Sequence, residues 1–265
     1  MQNMKKAWIT TAHQGFCESD MRSNTMSAFY LAAKYGADMI ETDARKTADG
    51  VLIANHDPVV VGTDEGGSPV SYEIAATDYE TIRRVILSKD SFGVQRVPTL
   101  ERVLQFAYCS GLLVNVDLKK GLQDAEAVAL LAARCGMKGR VVYAPNGSGE
   151  QTINRILKID PNARFIDRPC NFTRELLKDV RDYDAKCYAY TADFSEENIG
   201  SIRENNVMLA AISLTAETAP KAFRLQPDMM EYLHTSRFFE IEKKLLEDSL
   251  NPEALFSEQA ECQRI

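Results

Sequence analysis

Short apolar runs alternate along this chain with longer stretches in which apolar residues recur at helical spacing. That alternation predicts an α/β fold with a largely parallel sheet. The runs place strands at Ala7–Ala12, Asp38–Asp43, Val51–Asn55, Leu112–Leu118, Arg140–Ala144, Arg164–Ile166, Lys186–Thr191 and Met208–Ser213. Helices are predicted at Asn24–Tyr35, Leu100–Tyr108, Asp124–Cys135, Glu150–Lys158, Thr173–Arg181 and Ser195–Glu204. Eight strands with helices between them, in a chain of 265 residues, read as a TIM-type (β/α)8 barrel. No G-x-G-x-x-G follows the first strand, which argues against a doubly wound sheet.

One link breaks the alternation. Only Ala44 to Gly50 separates the second strand from the third, too short for a parallel crossover. Asp49-Gly50 is a hairpin-turn signal, so these two strands are expected to run antiparallel, bringing the Asn55-His56 end opposite Asp43. A polar loop at Val61–Val70 and a helix near Tyr79–Ile86 are expected next. After about Gln226 the pattern changes to an amphipathic helix at Phe238–Leu246 and a polar end without a strand. The chain therefore divides into a barrel domain, residues 1–226, and a C-terminal helical extension, residues 227–265, expected to pack on the barrel or on a second copy.

Composition narrows the classes. A net charge of −7 and a pI near 5.2 argue against a general nucleic-acid or anionic-membrane surface, and no apolar run has the length of a membrane span. The six cysteines are scattered without C-x-x-C spacing. With no export signal, reduced thiols in a cytoplasmic protein are expected.

Chemistry concentrates between Ala12 and Asp57. Two of the three histidines, His13 and His56, flank the acidic pair of Glu41-Thr42-Asp43. Carboxylates at i and i+2 of a strand project to one side, here the barrel interior. Asn115, Asp117 and Lys119 share one face of a second acidic strand. Carboxylates at strand ends suit a hard divalent cation, Mg²⁺ or Ca²⁺, and histidine suits proton transfer near neutral pH. Lys119 is placed either to pair with a carboxylate or to hold a phosphate oxygen.

Several of these residues fall in an ordered series of motifs. Ala12-His13-Gln14-Gly15, Asn24-Thr25, Gly36-Ala37-Asp38-Met39-Ile40-Glu41-Thr42-Asp43, Thr47-Ala48-Asp49-Gly50 and His56-Asp57 resemble the glycerophosphodiester phosphodiesterase family, which shows H-R-G, E-N-T, G-A-D-x-I-E-x-D, T-x-D-G and H-D in that order. Val97-Pro98-Thr99-Leu100-Glu101 is similar to its P-T-L-E segment, Val116-Asp117-Leu118-Lys119 to its E-L-K strand, and Tyr190-Thr191-Ala192-Asp193 to its W-T-V-N. The resemblance implies a metal-dependent barrel that hydrolyses a glycerophosphodiester to glycerol 3-phosphate and an alcohol. His13 and His56 would be the acid/base pair, and Glu41, Asp43 and Asp117 the metal ligands. Lys119, Gln14 and Tyr190 would stand on the substrate side.

The departures are specific. Gln14 replaces the arginine of H-R-G, Ser23 the glutamate of E-N-T, and Thr215-Ala216 the family's T-D. A permanently charged, bidentate phosphate clamp is thus missing at position 14. Two alternatives to the hydrolase stay open. One is a phosphorus–oxygen lyase forming a cyclic phosphate, as in the sphingomyelinase D relatives of this barrel, which also lack that arginine. The other is an inactive phosphodiester-binding or regulatory barrel. Pairing of two copies through the C-terminal extension is a further expectation.

Overall fold

The computed structural model describes residues 6–16, 21–146, 149–167, 187–204, 207–233 and 238–249. The first part runs β1 (Ile9–His13), α1 (Met26–Lys34), β2 (Met39–Lys46) and β3 (Leu52–Ala54). An excursion follows with β4 (Val59–Thr63), β5 (Pro69–Glu73), the short α2 (Tyr79–Ile82), β6 (Ser88–Asp90) and β7 (Gly93–Gln95). The chain then alternates through α3 (Leu100–Ser110), β8 (Leu113–Leu118), α4 (Leu122–Arg134), β9 (Val141–Ala144), α5 (Gly149–Ile159), β10 (Arg164–Asp167) and β11 (Cys187–Thr191). It ends with α6 (Glu196–Glu204), β12 (Met208–Leu214), α7 (Ala219–Phe223), β13 (Met229–Leu233) and α8 (Phe238–Ser249).

Eight parallel strands, β1, β2 and β8 to β13, close into a barrel, with β1 hydrogen-bonded to both β2 and β13. The outward side chains Val114, Val116 and Leu118 join the main apolar core beneath the helices. Inside the barrel, Met39, Val142, Ile166, Tyr188, Ala210 and Met229 form a smaller apolar layer. Met39 and Met229 open their strands, so this layer closes the end of the barrel opposite the carboxyl ends. The carboxyl ends carry function in such barrels.

The expected β2–β3 hairpin is present: Ala44 pairs with Ala54 and Lys46 with Leu52, antiparallel. Gly50 turns the chain at φ +86°, a conformation that side chains resist. This strand is therefore a ninth, outside the barrel count. The eighth barrel strand is β13, in the segment after Gln226 that the sequence pattern leaves without a strand. Its run, Met-Met-Glu-Tyr-Leu, has a charge at mid-strand and no β-branched residue, which hides the strand signal. Two further differences lie in the excursion, where β4 and β5 pair antiparallel in place of the expected loop, and β6 pairs with β7. Ile53, Val60, Ile74, Ile82, Val85 and Val97 give this excursion its own core. The helix expected at Thr173–Arg181 lies outside the described residues.

The C-terminal helix docks on the barrel. Phe238 and Leu245 are buried, and the Phe238 ring meets those of Phe16 and Tyr232, each at 5.8 Å. Glu242 is buried against β1, where it accepts from Trp8 Nε1 at 2.8 Å and from the Thr10 hydroxyl.

Candidate active site

Strand register assembles the acidic residues. Glu41 of β2 stands beside Asn115 of β8, and Asp43 stands beside Asp117 one layer higher. Paired residues of parallel neighbours project to the same side, so all four face into the barrel mouth. Glu41, Asp43 and Asp117 each offer an oxygen, and the three oxygens lie within 4.8 Å of one another.

Asp43 is the most heavily bonded of them. Its Oδ2 accepts from Gln14 Nε2 at 2.9 Å and from Asn24 Nδ2 at 2.7 Å, and its Oδ1 lies 2.7 Å from Lys119 Nζ. Gln14 also donates its backbone N–H to Glu41 Oε2 at 2.8 Å. Gln14 and Asn24 both have φ near +55°, and the Asn24 N–H donates to the Gln14 carbonyl at 2.9 Å. Asparagine tolerates that left-handed conformation; glutamine seldom adopts it. Gly15 beside it packs so close to α1 that a Cβ there would lie 2.8 Å from the Ala28 carbonyl carbon. The turn after β1 is thus pressed onto α1, and it aims two carboxamides at one carboxylate. Asn24 also accepts from the Thr42 hydroxyl at 2.8 Å, which ties the turn to β2.

Burial sets the electrostatics. Desolvation holds the Glu41 carboxyl well above the usual range, and the charges of Asp43, Glu231 and Asp117 add to it, while the Gln14 N–H opposes it. Asp117 is raised by burial and pulled back by Lys119, whose Nζ lies 2.7 Å from its Oδ2. Asn146 also donates to Asp117. Burial alone would lower the Lys119 ammonium, but its bonds to Asp117 and Asp43 outweigh that and raise it. On β13, Glu231 is buried, and desolvation with the Asp117 and Asp43 charges pushes it up to about 7. Among the described residues, Glu41, Asp43, Asp117 and Glu231 point inward, and Lys119 is ion-paired with Asp43 and Asp117. That imbalance, with an all-oxygen donor set, fits a hard divalent cation.

The histidines lie at or just past the ends of β1 and β3, the two strands that pair with the edge of β2 away from β8. His13 ends β1, with Nε2 3.8 Å from Glu41 Oε2. His56 follows the hairpin, where the Asn55 N–H bonds the Asp43 carbonyl at 3.0 Å. The His56 ring is exposed, and its Nδ1 lies 2.9 Å from Asp57 Oδ1. With a proton on Nδ1, that contact leaves Nε2 as the nitrogen that accepts one.

The sequence-expected residues therefore meet different fates. Glu41, Asp43, Asp117 and Lys119 converge, and His13 and Gln14 join them at Glu41 and Asp43. Tyr190 lies on β11 against the inner apolar layer. Arg22 donates to the Val61 carbonyl at 2.9 Å and so holds the excursion. Sequence reasoning missed Glu231 and Asn146, and it missed Asn24 as a ligand of Asp43. For Asn24 a signal existed, because an asparagine before a helix-capping Thr25 suits a left-handed turn.

The chain is similar to known proteins of one family. Residues 13–131 match the model of the glycerophosphoryl diester phosphodiesterase family. Over 207 residues the chain is 34% identical to a Bacillus subtilis protein provisionally named a glycerophosphodiester phosphodiesterase, an overlap of 76% of this chain and 83% of that one. It is 32% identical over 114 residues to the glycerophosphodiester phosphodiesterase of Caldanaerobacter subterraneus, covering 43% of this chain and 46% of the relative. The chain spans about half the length, or less, of the first curated relatives it matches. Among solved structures, an Oleispira antarctica phosphodiesterase in complex with the product sn-glycerol-3-phosphate superposes with a TM-score of 0.70 at 14% identity, over 89% of this chain and 96% of that one. At that identity the likeness speaks for the fold alone.

Proposed function

The chain belongs to the glycerophosphoryl diester phosphodiesterase family, and from that premise we propose that it hydrolyses a glycerophosphodiester to glycerol 3-phosphate and an alcohol with the help of a bound Mg²⁺ or Ca²⁺. One observation carries the reading: three buried or half-buried carboxylates offer oxygens within 4.8 Å of one another at the catalytic end of the barrel. Glu41, Asp43 and Asp117 would hold the cation. When bound, it would neutralise the phosphodiester and stabilise charge that builds up on phosphorus-bound oxygens.

The remaining roles belong to the chain's own side chains. His13 and His56 would divide proton transfer, one taking the proton from the attacking water and the other giving one to the leaving alcohol oxygen. Asp57 would keep the His56 ring oriented through Nδ1. Lys119 already lies between Asp43 and Asp117, and would offer its remaining donor to a substrate phosphate oxygen. Gln14 would act differently from the family's arginine: its amide supports Asp43, so its contribution is to hold a metal ligand in place. Tyr190 would line the mouth above the inner apolar layer.

The supporting test uses purified protein with Mg²⁺ or Ca²⁺ on a panel of glycerophosphodiesters. Release of glycerol 3-phosphate is expected, and its loss on chelation, in His13→Ala and in His56→Ala. No release from any member of the panel defeats the proposal and favours a binding barrel. A cyclic phosphate seen by phosphorus NMR favours the lyase. No described helix is long and apolar enough to cross a membrane. Pairing of copies through α8 finds support only in the exposed Phe239, because Phe238, Glu242 and Leu245 face the barrel.

A further inference from the structure

Arg45 stands two positions beyond Asp43 on β2, on the strand face that carries Glu41 and Asp43. Its guanidinium forms a fork on the His56 carbonyl, with Nε donating at 2.9 Å and Nη2 at 2.6 Å. The location of that carbonyl matters. β3 ends at Ala54, and the Asn55 N–H carries the hairpin one bond further, to the Asp43 carbonyl. Past that point the chain turns on local bonds, with Asn55 Nδ2 donating to the Asp57 carbonyl at 2.8 Å. The fork is what ties the His56 peptide itself back to β2.

We propose that Arg45 is a positioning residue for His56, its fork fixing the separation between that histidine and the carboxylates Glu41 and Asp43. The inference rests on the reading of His56 as a proton-transfer group. Two N–H groups on one rigid guanidinium edge converge on the His56 carbonyl oxygen and fix its direction, whereas an ammonium makes one bond of free direction. Misplacement by about 1 Å lowers rates by about a hundredfold.

The test compares Arg45→Lys with Arg45→Met. Both are expected to lower kcat by about ten- to a hundredfold while KM changes less than about threefold. Binding of Mn²⁺ alone, followed by electron paramagnetic resonance, is expected to match the wild type in Arg45→Lys. A second readout needs no turnover: relaxation of the His56 ring protons by bound Mn²⁺ reports their separation, and it is expected to change in both variants. Full kcat in Arg45→Lys would assign Arg45 a charge role and overturn the proposal. So would a raised KM with kcat intact, or His56 relaxation unchanged in both variants. If the wild-type chain turns over no phosphodiester, the functional reading falls, while the relaxation measurement still decides for or against the tie.

Discussion

Replacing Glu231 with glutamine measures what the barrel interior does with excess negative charge. Glu231 is only 5% exposed, and its carboxyl is pushed up to about 7 from an ordinary 4.5. Burial is the largest cause, followed by the charges of Asp117 and Asp43; a hydrogen bond from Asn115 opposes them. The folded chain therefore keeps this proton until about pH 7, whereas the unfolded chain releases it near 4.5. Between those values the unfolded state binds fewer protons, so stability falls as pH rises. The difference amounts to about 3 kcal/mol once both forms are ionised, near pH 8. Glutamine keeps the shape and carries no charge, so Glu231→Gln lacks this fall. Urea unfolding with chelator present is expected to show the variant and the wild type nearly equal at about pH 4, below the unfolded value. The variant should lead by about 3 kcal/mol at pH 8. A gap that stays flat over that range refutes the reasoning, because it would mean that burial and neighbouring charge do not hold a proton on Glu231.

Three other substitutions probe the surrounding frame. Asn24→Ala removes the bond to Asp43 Oδ2 at 2.7 Å and leaves alanine at φ near +55°. A loss of about 3 kcal/mol in urea unfolding is expected, and one below about 1 kcal/mol would refute it. Gly15→Ala drives a Cβ to 2.8 Å from the Ala28 carbonyl carbon and 2.9 Å from the Ala28 Cβ. Thermal melting should report a loss of about 2–4 kcal/mol, and an unchanged melting temperature would contradict the tight turn. Lys119→Met removes an ammonium 2.7 Å from both Asp43 and Asp117. Mn²⁺ titrated into the substrate-free variant is expected to bind about tenfold tighter, about 1.4 kcal/mol, and unchanged or weaker binding counts against competition for those oxygens.

How much of this was legible in the chain depends on the physics behind each feature. The β2–β3 hairpin was readable because Asp49-Gly50 names a turn and the short link forbids a crossover. The inward set Glu41, Asp43, Asn115 and Asp117 was readable because a strand alternates its faces. The strand β13 was not, since Met229, Met230 and Glu231 carry neither alternation nor branched side chains and gain their strand form from β1 and β12 on either side. Glu231 was lost with it. The role of Gln14 was hidden for another reason. Its departure from arginine was visible, but a glutamine gives no sign that its backbone will be left-handed and its amide turned onto Asp43. The ribbon of β4 and β5 lay within a stretch rich in glycine and polar residues, where strand and loop look alike.

The closure of β1 against β13 also sets a timetable. Thr11 and Glu231 are partners across that seam, 220 positions apart. At ribosomal speeds of about 5–20 residues per second, roughly 10–45 s pass between the emergence of one and of the other. Throughout that interval one edge of the His13 strand offers unbonded peptide groups to any neighbouring chain, a template for misassembly. The last parallel pairing is also the most distant in sequence, so it carries the largest loop-closure entropy of the barrel. Glu41, Asp43 and Asp117 are brought together earlier by the pairing of β2 with β8, and the fourth carboxylate, Glu231, joins them only with that final seam.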